Sequence, residues 1–195
     1  MRNSKLLFMN KKNSLGFCFF IFMSFGVFAE DVSNNDVHWG FEYDFMAPRI
    51  GGWSSLNVDA YLSHGRMKHA LFFAHVNINE EHLTDESFSK DNLNAFGYRF
   101  EIFTHKEARR WSTGLLVMYS IHDVTTVHNQ QDGKFGTLSV GVPLGYTWVL
   151  WDHLSINPNI SILVPLNNRT VTIGIDTEDQ APWGLEPGIR IGYRY

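Results

Sequence analysis

From residue 37 onward the chain alternates. In "VHWGFEYDF", Val37, Trp39, Phe41, Tyr43 and Phe45 take one set of alternate positions, and His38, Gly40, Glu42 and Asp44 take the other. A strand sends successive side chains to opposite faces, so this run predicts a β-strand with one apolar and one polar side. Seven further runs read the same way, each of roughly ten residues and followed by turn residues. Leu56, Val58, Ala60 and Leu62 oppose Asn57, Asp59 and Tyr61. Ala70, Phe72, Ala74, Val76 and Ile78 oppose Leu71, Phe73, His75 and Asn77, the weakest contrast of the set. Phe96, Tyr98, Phe100 and Ile102 oppose Gly97, Arg99, Glu101 and Phe103. Trp111, Leu115, Val117, Tyr119 and Ile121 oppose Ser112, Gly114, Met118, Ser120 and His122. Leu138, Val140, Val142, Leu144, Tyr146 and Trp148 oppose Ser139, Gly141, Pro143, Gly145 and Thr147. Leu154, Ile156, Ile160, Ile162 and Val164 oppose Ser155, Asn157, Asn159 and Ser161. The last run, from Leu185 and Glu186 to "GIRIGYRY", sets Ile189, Ile191, Tyr193 and Tyr195 against Gly188, Arg190, Gly192 and Arg194. The stretch "VPLNNRTVTIGID" stays open: residues 165–176 prolong the seventh strand or belong to its loop.

Eight alternating runs predict an all-β fold, an eight-stranded antiparallel up-and-down transmembrane β-barrel. Alternation alone does not choose the outer face, since a soluble barrel would bury the apolar stripe. Three observations choose lipid. The lysines after the first 29 residues, Lys68, Lys90, Lys106 and Lys134, all fall in expected turns or loops, whereas a water-facing strand surface carries lysine freely. The polar faces are rich in Gly and Ser with few charges, as a narrow lumen requires. Trp39, Trp111, Tyr146 and Trp148, with Tyr193 and Tyr195, lie near strand ends on the apolar side, where interfacial aromatic girdles belong. The short links "SHGRMKH", "THKEARR" and "LWDH" then share the periplasmic edge, and segments around 47–53, 79–93, 123–134 and 165–183 form the external one.

The N-terminus carries an address. Basic Arg2, Lys5, Lys11 and Lys12 precede the apolar run "LGFCFFIFMSFGVFA", and Val27-Phe28-Ala29 has the small-residue pattern of a cleavage site. Residues 1–29 are expected to be a cleaved secretory signal peptide and residues 30–195 the barrel. Cys18, the sole cysteine, lies in that leader after bulky Phe17, unlike a lipoprotein site, so the barrel is expected to have neither disulfide nor thiol chemistry. Beyond residue 29 the chain keeps 12 basic against 20 acidic residues, a net charge of −8 with histidine neutral. That balance excludes nucleic acid as a partner, because phosphate binding needs clustered Lys and Arg.

Over its length after residue 29 the chain resembles the small eight-stranded outer-membrane barrel proteins of Gram-negative bacteria. Ile189, Ile191, Tyr193 and terminal Tyr195 resemble the C-terminal signal by which such barrels are recognised for assembly, with Tyr195 where those proteins typically end in Phe. The resemblance implies the cell outer membrane as location, its lipid and lipopolysaccharide as surroundings, and the barrel assembly machinery as a partner.

Candidate chemistry lies on the polar faces. Glu42, Asp44, Asp59, Arg99, Glu101, Glu186, Arg190 and Arg194 are expected to form a luminal ion-pair network, since an unpaired charge in so confined a space costs several kcal/mol. Eight strands leave room for side chains rather than a channel, so the network is expected to act as a plug. The nine histidines show no metal-ligand spacing, and no cofactor is expected. His75 and His122 are expected inside. Ser120 and His122 share one face of the fifth strand with Glu101 on a neighbouring one, a weak catalytic candidate pointing away from lipid. Glu80, Glu81, Asp85, Glu86, Asp91, Asp176, Glu178 and Asp179 make the external edge acidic, a surface for a cation or partner. The expected role is therefore non-enzymatic, in envelope integrity or surface interaction, by a monomer. The alternatives are a lipid-modifying enzyme of the lipid A deacylase or acyltransferase type, and a soluble periplasmic ligand-binding barrel.

Overall fold

Alternation becomes strand almost wherever it occurs. The computed structural model describes residues 37–46, 55–78, 88–127, 130–167, 170–174 and 176–195. Its strands are β1 (Val37–Asp44), β2 (Leu56–His64), β3 (Met67–Ile78), β4 (Phe88–His105), β5 (Arg109–Thr126), β6 (Asp132–Leu150), β7 (Leu154–Pro165), β8 (Thr170–Ile173), β9 (Asp176–Asp179) and β10 (Gly184–Arg194). Eight close into a barrel in the order β1-β10-β7-β6-β5-β4-β3-β2, every pair antiparallel. The ambiguous stretch after β7 is not an extension of that strand and belongs to the connection that leads to β10. It forms a separate hairpin in which β8 pairs with β9.

Closure depends on the C-terminal strand. Gly40 pairs with Arg194 and Asp44 with Arg190, and the Tyr195 amide donates to the Trp39 carbonyl at 2.8 Å. The ladder thus has no free edge between its first and last strands. Three tight turns gather at this end. Gly65 serves one, and the others hold Glu107, Ala108, Trp151 and Asp152 at positive φ, the left-handed geometry whose twist matches that of the flanking strands.

The outward faces are apolar. Leu71 (67 % exposed), Trp111 (63 %) and Phe41 (56 %) are representative, while Ser, Thr, Gly and charged side chains point inward. One stripe runs opposite to the sequence reading. In β3 it is Ala70, Phe72 and Ala74 that are buried, and Leu71 and Phe73 that lie outside. Lys68 decides the matter: buried inside, it is two, four and six residues from those three, and alternation carries them all inward. The same parity puts His75, expected inside, on the outer side, where it bonds Asn94 at 2.7 Å. Phe72, Ala74, Ala95, Leu116, Met118 and Leu163 make a small apolar core within the upper lumen.

The lysine pattern also needs correction. Lys68 lies inside β3, and Lys90 and Lys134 lie in β4 and β6, because β4, β5 and β6 run for 18, 18 and 19 residues, beyond the roughly ten-residue runs read from the sequence. Lys90 and Lys134 are exposed near the loop-edge ends of these strands.

Gly97 reports how closely the wall is packed. A Cβ there would stand 2.2 Å from the Val117 carbonyl oxygen and 2.6 Å from the Phe72 ring, whereas one on Gly184 would meet nothing within 4 Å. Gly97→Val should lower folded stability by about 1–3 kcal/mol or more through overpacking, and Gly184→Ala should leave it nearly unchanged. Urea titration followed by the folded band on unheated gels checks both.

Candidate functional site: a buried ion-pair layer below a luminal chamber

The polar faces of five strands meet in one layer of charge. β1 contributes Glu42, β2 Asp59, β3 Lys68, β4 Arg99 and Glu101, and β10 Arg190, with every side chain at most 9 % exposed. Lys68 Nζ lies 2.5 Å from Glu42 Oε1 and 3.8 Å from Glu101. Arg99 bonds Asp59 directly and reaches Glu101 Oε2 at 3.2 Å and Glu42 at 3.5 Å. Arg190 stands 3.3 Å from Glu101 Oε2 and 3.6 Å from Glu42 Oε2. Three cations thus face three carboxylates, and the layer is neutral when all six are ionised. Ser112 donates to Glu101 at 3.4 Å, and the Lys68 ammonium sits 4.4 Å from the centre of the Tyr61 ring, a cation–π contact. Between this layer and the turn edge lies a void of about 10 Å³, at the lower limit of the space that holds one water molecule.

Three residues expected in this network stand elsewhere, and one member was absent from the expectation. Asp44 accepts from the Met46 and Ile189 amides at 2.9 and 3.3 Å, pinning the end of β1 to β10. Glu186 lines the chambers above the layer. Arg194 clamps the turn edge, donating to the Asp152 carbonyl at 2.6 Å and to the Glu107 carbonyl and carboxylate at 3.1 and 3.2 Å. Burial opposes the charge on Glu107, yet hydrogen bonds from Arg194 and the nearby Arg109 charge hold its carboxyl below the usual value. Lys68 is the missing member. Its place beside a turn hid it, and parity with Ala70 gave no help, since the sequence reading set Ala70 on the outward stripe.

Above the layer the lumen opens into a chamber of about 470 Å³, roofed by the β8–β9 hairpin through Val171 and Asp179. Ser120 and His122, neighbours on the inner face of β5, approach there to 3.1 Å between Oγ and Nε2. Nδ1 of His122 lies 2.8 Å from Asp91 Oδ2. Glu101, expected as the acid of this group, is committed to the ion-pair layer. Asp91 takes the place instead, because β4 begins earlier than its alternation suggested and carries this residue into the wall, away from the acidic loop. Of that loop, Glu80, Glu81, Asp85 and Glu86 lie outside the described residues. Among the described residues no three His, Cys, Asp or Glu side chains converge on a metal-sized site.

Aromatic rings collar the turn edge from outside. Trp39 stacks on Tyr195 at 4.3 Å between centroids, Trp111 meets Tyr146 edge-on at 5.1 Å, and Tyr146 lies 4.9 Å from Trp148. Trp151, in the turn after β6 and 82 % exposed, joins this rim. Ile189, Ile191, Tyr193 and Tyr195 all face outward along the closing strand.

No family model matches the chain, and no curated protein matches it. Among solved structures, it is similar to the Neisserial surface protein A at 9 % identity and a TM-score of 0.43, over 81 % of this chain and 94 % of that one. It is also similar to the N-terminal β-barrel domain of Pseudomonas aeruginosa OprF, at 10 % identity and a TM-score of 0.41, over 83 % and 98 % of the two chains.

The neutrality of the layer makes its members interdependent. Lys68→Met should cost about 3–5 kcal/mol by leaving a carboxylate uncompensated in the lumen, and Lys68→Met combined with Glu42→Gln should recover most of that loss. Urea midpoints of the four-protein cycle check this, with recovery read as a positive coupling.

Proposed function

We propose that this chain is an integral protein of the outer membrane, a monomeric and non-conducting barrel that serves envelope integrity and surface interaction. The observation that carries the reading is the pairing of an apolar, aromatic-collared exterior with a charge-filled interior. Among the described residues no helix is long and apolar enough to span a bilayer, but strands reach across one in roughly 9–11 residues. β1, β2 and β3 have 8, 9 and 12 residues, while β4, β5 and β6 exceed that span and raise the wall above the lipid. In water the exposed stripes of Leu, Phe, Ile and Trp would form a continuous sticky belt. In lipid they are the favourable surface, and a closed barrel leaves no backbone group unpaired.

The polar network supports the non-conducting part, since its three ion pairs occupy the lumen from five sides. A leader at residues 1–29 supports export. The acidic positions at the loop edge suit contact with divalent cations bridging lipopolysaccharide or with a basic surface of a partner, and the last strand suits capture by the assembly machinery. A soluble carrier is disfavoured because the lumen, not the exterior, is the polar side. A lipid-modifying enzyme is disfavoured because Ser120 and His122 face the lumen.

Expressed cells, fractionated and analysed on gels with and without heating, should show the protein in the outer-membrane fraction with a heat-dependent change of mobility. Reconstituted in planar bilayers, it should pass no steady current. Recovery in the soluble periplasm without a heat shift refutes the membrane reading, and stable open channels refute the plug.

A further inference from the structure

The roofed chamber goes beyond an envelope role, and its chemistry stands whether or not lipid surrounds the wall. We propose that Ser120, His122 and Asp91 form a hydrolytic triad that acts on small uncharged or cationic esters entering from the loop edge. An ionised carboxylate only accepts hydrogen bonds, so Asp91 takes the Nδ1 proton of His122 at 2.8 Å. Nε2 is then the unprotonated nitrogen, an acceptor 3.1 Å from the Ser120 hydroxyl, whose proton the Thr137 carbonyl also accepts at 3.3 Å. That is the order of nucleophile, base and orienting acid that activates a serine.

Two further contacts fix the geometry. The Phe135 ring stacks on the His122 imidazole at 4.6 Å with an interplanar angle of 3°, which holds the base flat against β6. Asp91 is 8 % exposed, and its Oδ1 has no hydrogen-bond partner among the described residues, so its charge is directed at His122 alone. A buried carboxylate with that single partner is a costly arrangement for mere packing.

Acyl transfer here balances without redox chemistry. Ser120 Oγ bonds to the ester carbonyl carbon as its proton passes to His122 Nε2. The carbon–oxygen bond to the alcohol then breaks, and the alcohol leaves with that proton. Water repeats the cycle against the acyl-serine, giving up a proton to His122, releasing the acid and restoring the hydroxyl. The Gln180 carboxamide lines the same chamber and bonds the hydroxyl of Thr137 at 3.4 Å, the residue that pairs across the ladder with Ser120.

The lining sets the substrate class. Asp179 and Glu186 join Asp91 at the chamber, no Lys or Arg among the described residues lines it, and Phe88, Met118 and Trp183 supply apolar surface. Anionic esters, lipid phosphates included, are repelled, and neutral or cationic acyl compounds are admitted.

The test uses the folded full-length barrel in detergent, with the heat-dependent gel shift confirming the fold of every sample. A fluorophosphonate probe should add one phosphonyl group at Ser120, located by peptide mass spectrometry, in folded protein and not in boiled protein. Hydrolysis of p-nitrophenyl acetate should fall at least about 100-fold in Ser120→Ala and in Asp91→Asn, and a choline ester should outrun a succinate half-ester. No adduct at Ser120, together with equal p-nitrophenyl acetate turnover in wild type and Ser120→Ala, overturns the triad. Preference for the anionic ester overturns the substrate class.

Discussion

Six ionised side chains packed together across the lumen must neutralise one another, and much of the barrel is arranged around that constraint. Removing any of these charges from water costs several kcal/mol unless a partner and hydrogen bonds replace the solvent. Partners on one strand supply only part of this, as Arg99 and Glu101 do on β4 at 3.2 Å, and the remaining contacts come from other strands. The layer therefore draws on β1, β2, β3, β4 and β10, and the contact between Arg190 and Glu101 spans 89 residues of sequence. The ladder register follows the same geometry. Glu42 lies opposite Asp59, and Lys68 opposite Glu101, so a slip of one residue would turn these charges to the apolar outer face.

The lumen is consequently divided. Below the layer, Arg194, Glu107 and the turn backbones close the edge with hydrogen bonds. Above it, Phe72, Leu116 and Met118 belong to an apolar core, and the long walls of β4, β5 and β6 rise around the chamber under the hairpin. Charge pairing fills the section at the layer, and the section above it is the roomier one. A chamber of that kind needs rigid walls, and the wall strands supply Asp91, Ser120, His122 and Phe135 from regular ladder positions.

Much of this was legible in the chain. Alternation gave the eight strands and nearly every inward and outward assignment, because a period of two is imposed by backbone geometry and does not depend on tertiary context. It failed in β3, where Ala70 and Ala74 weigh too little and Phe72 and Phe73 weigh equally on both faces. There the deciding residue was Lys68, whose pairing no local pattern reveals. Strand ends were legible only where turn residues marked them, so β4 to β6 continued past expectation and Asp91 changed from a loop acid to a wall acid. The partners of Glu101 and His122 depend on register between strands, which one strand's pattern does not contain. The hairpin at 170–179 combined strand-forming Val171 and Ile173 with polar neighbours, a pattern equally compatible with a loop.

The central claim is that each strand shows lipid one face and a packed polar lumen the other. Residues beyond Ala29 contain no cysteine, so single cysteines placed at the outward positions 96, 98, 100 and 102 of β4 and spin-labelled in liposomes report the claim directly. Collision with dissolved oxygen should exceed collision with a water-soluble nickel complex at each of them. Uniform accessibility to a water-soluble nickel complex along all of these positions would contradict it, because a strand with lipid on one side and packed charge on the other has no such surface.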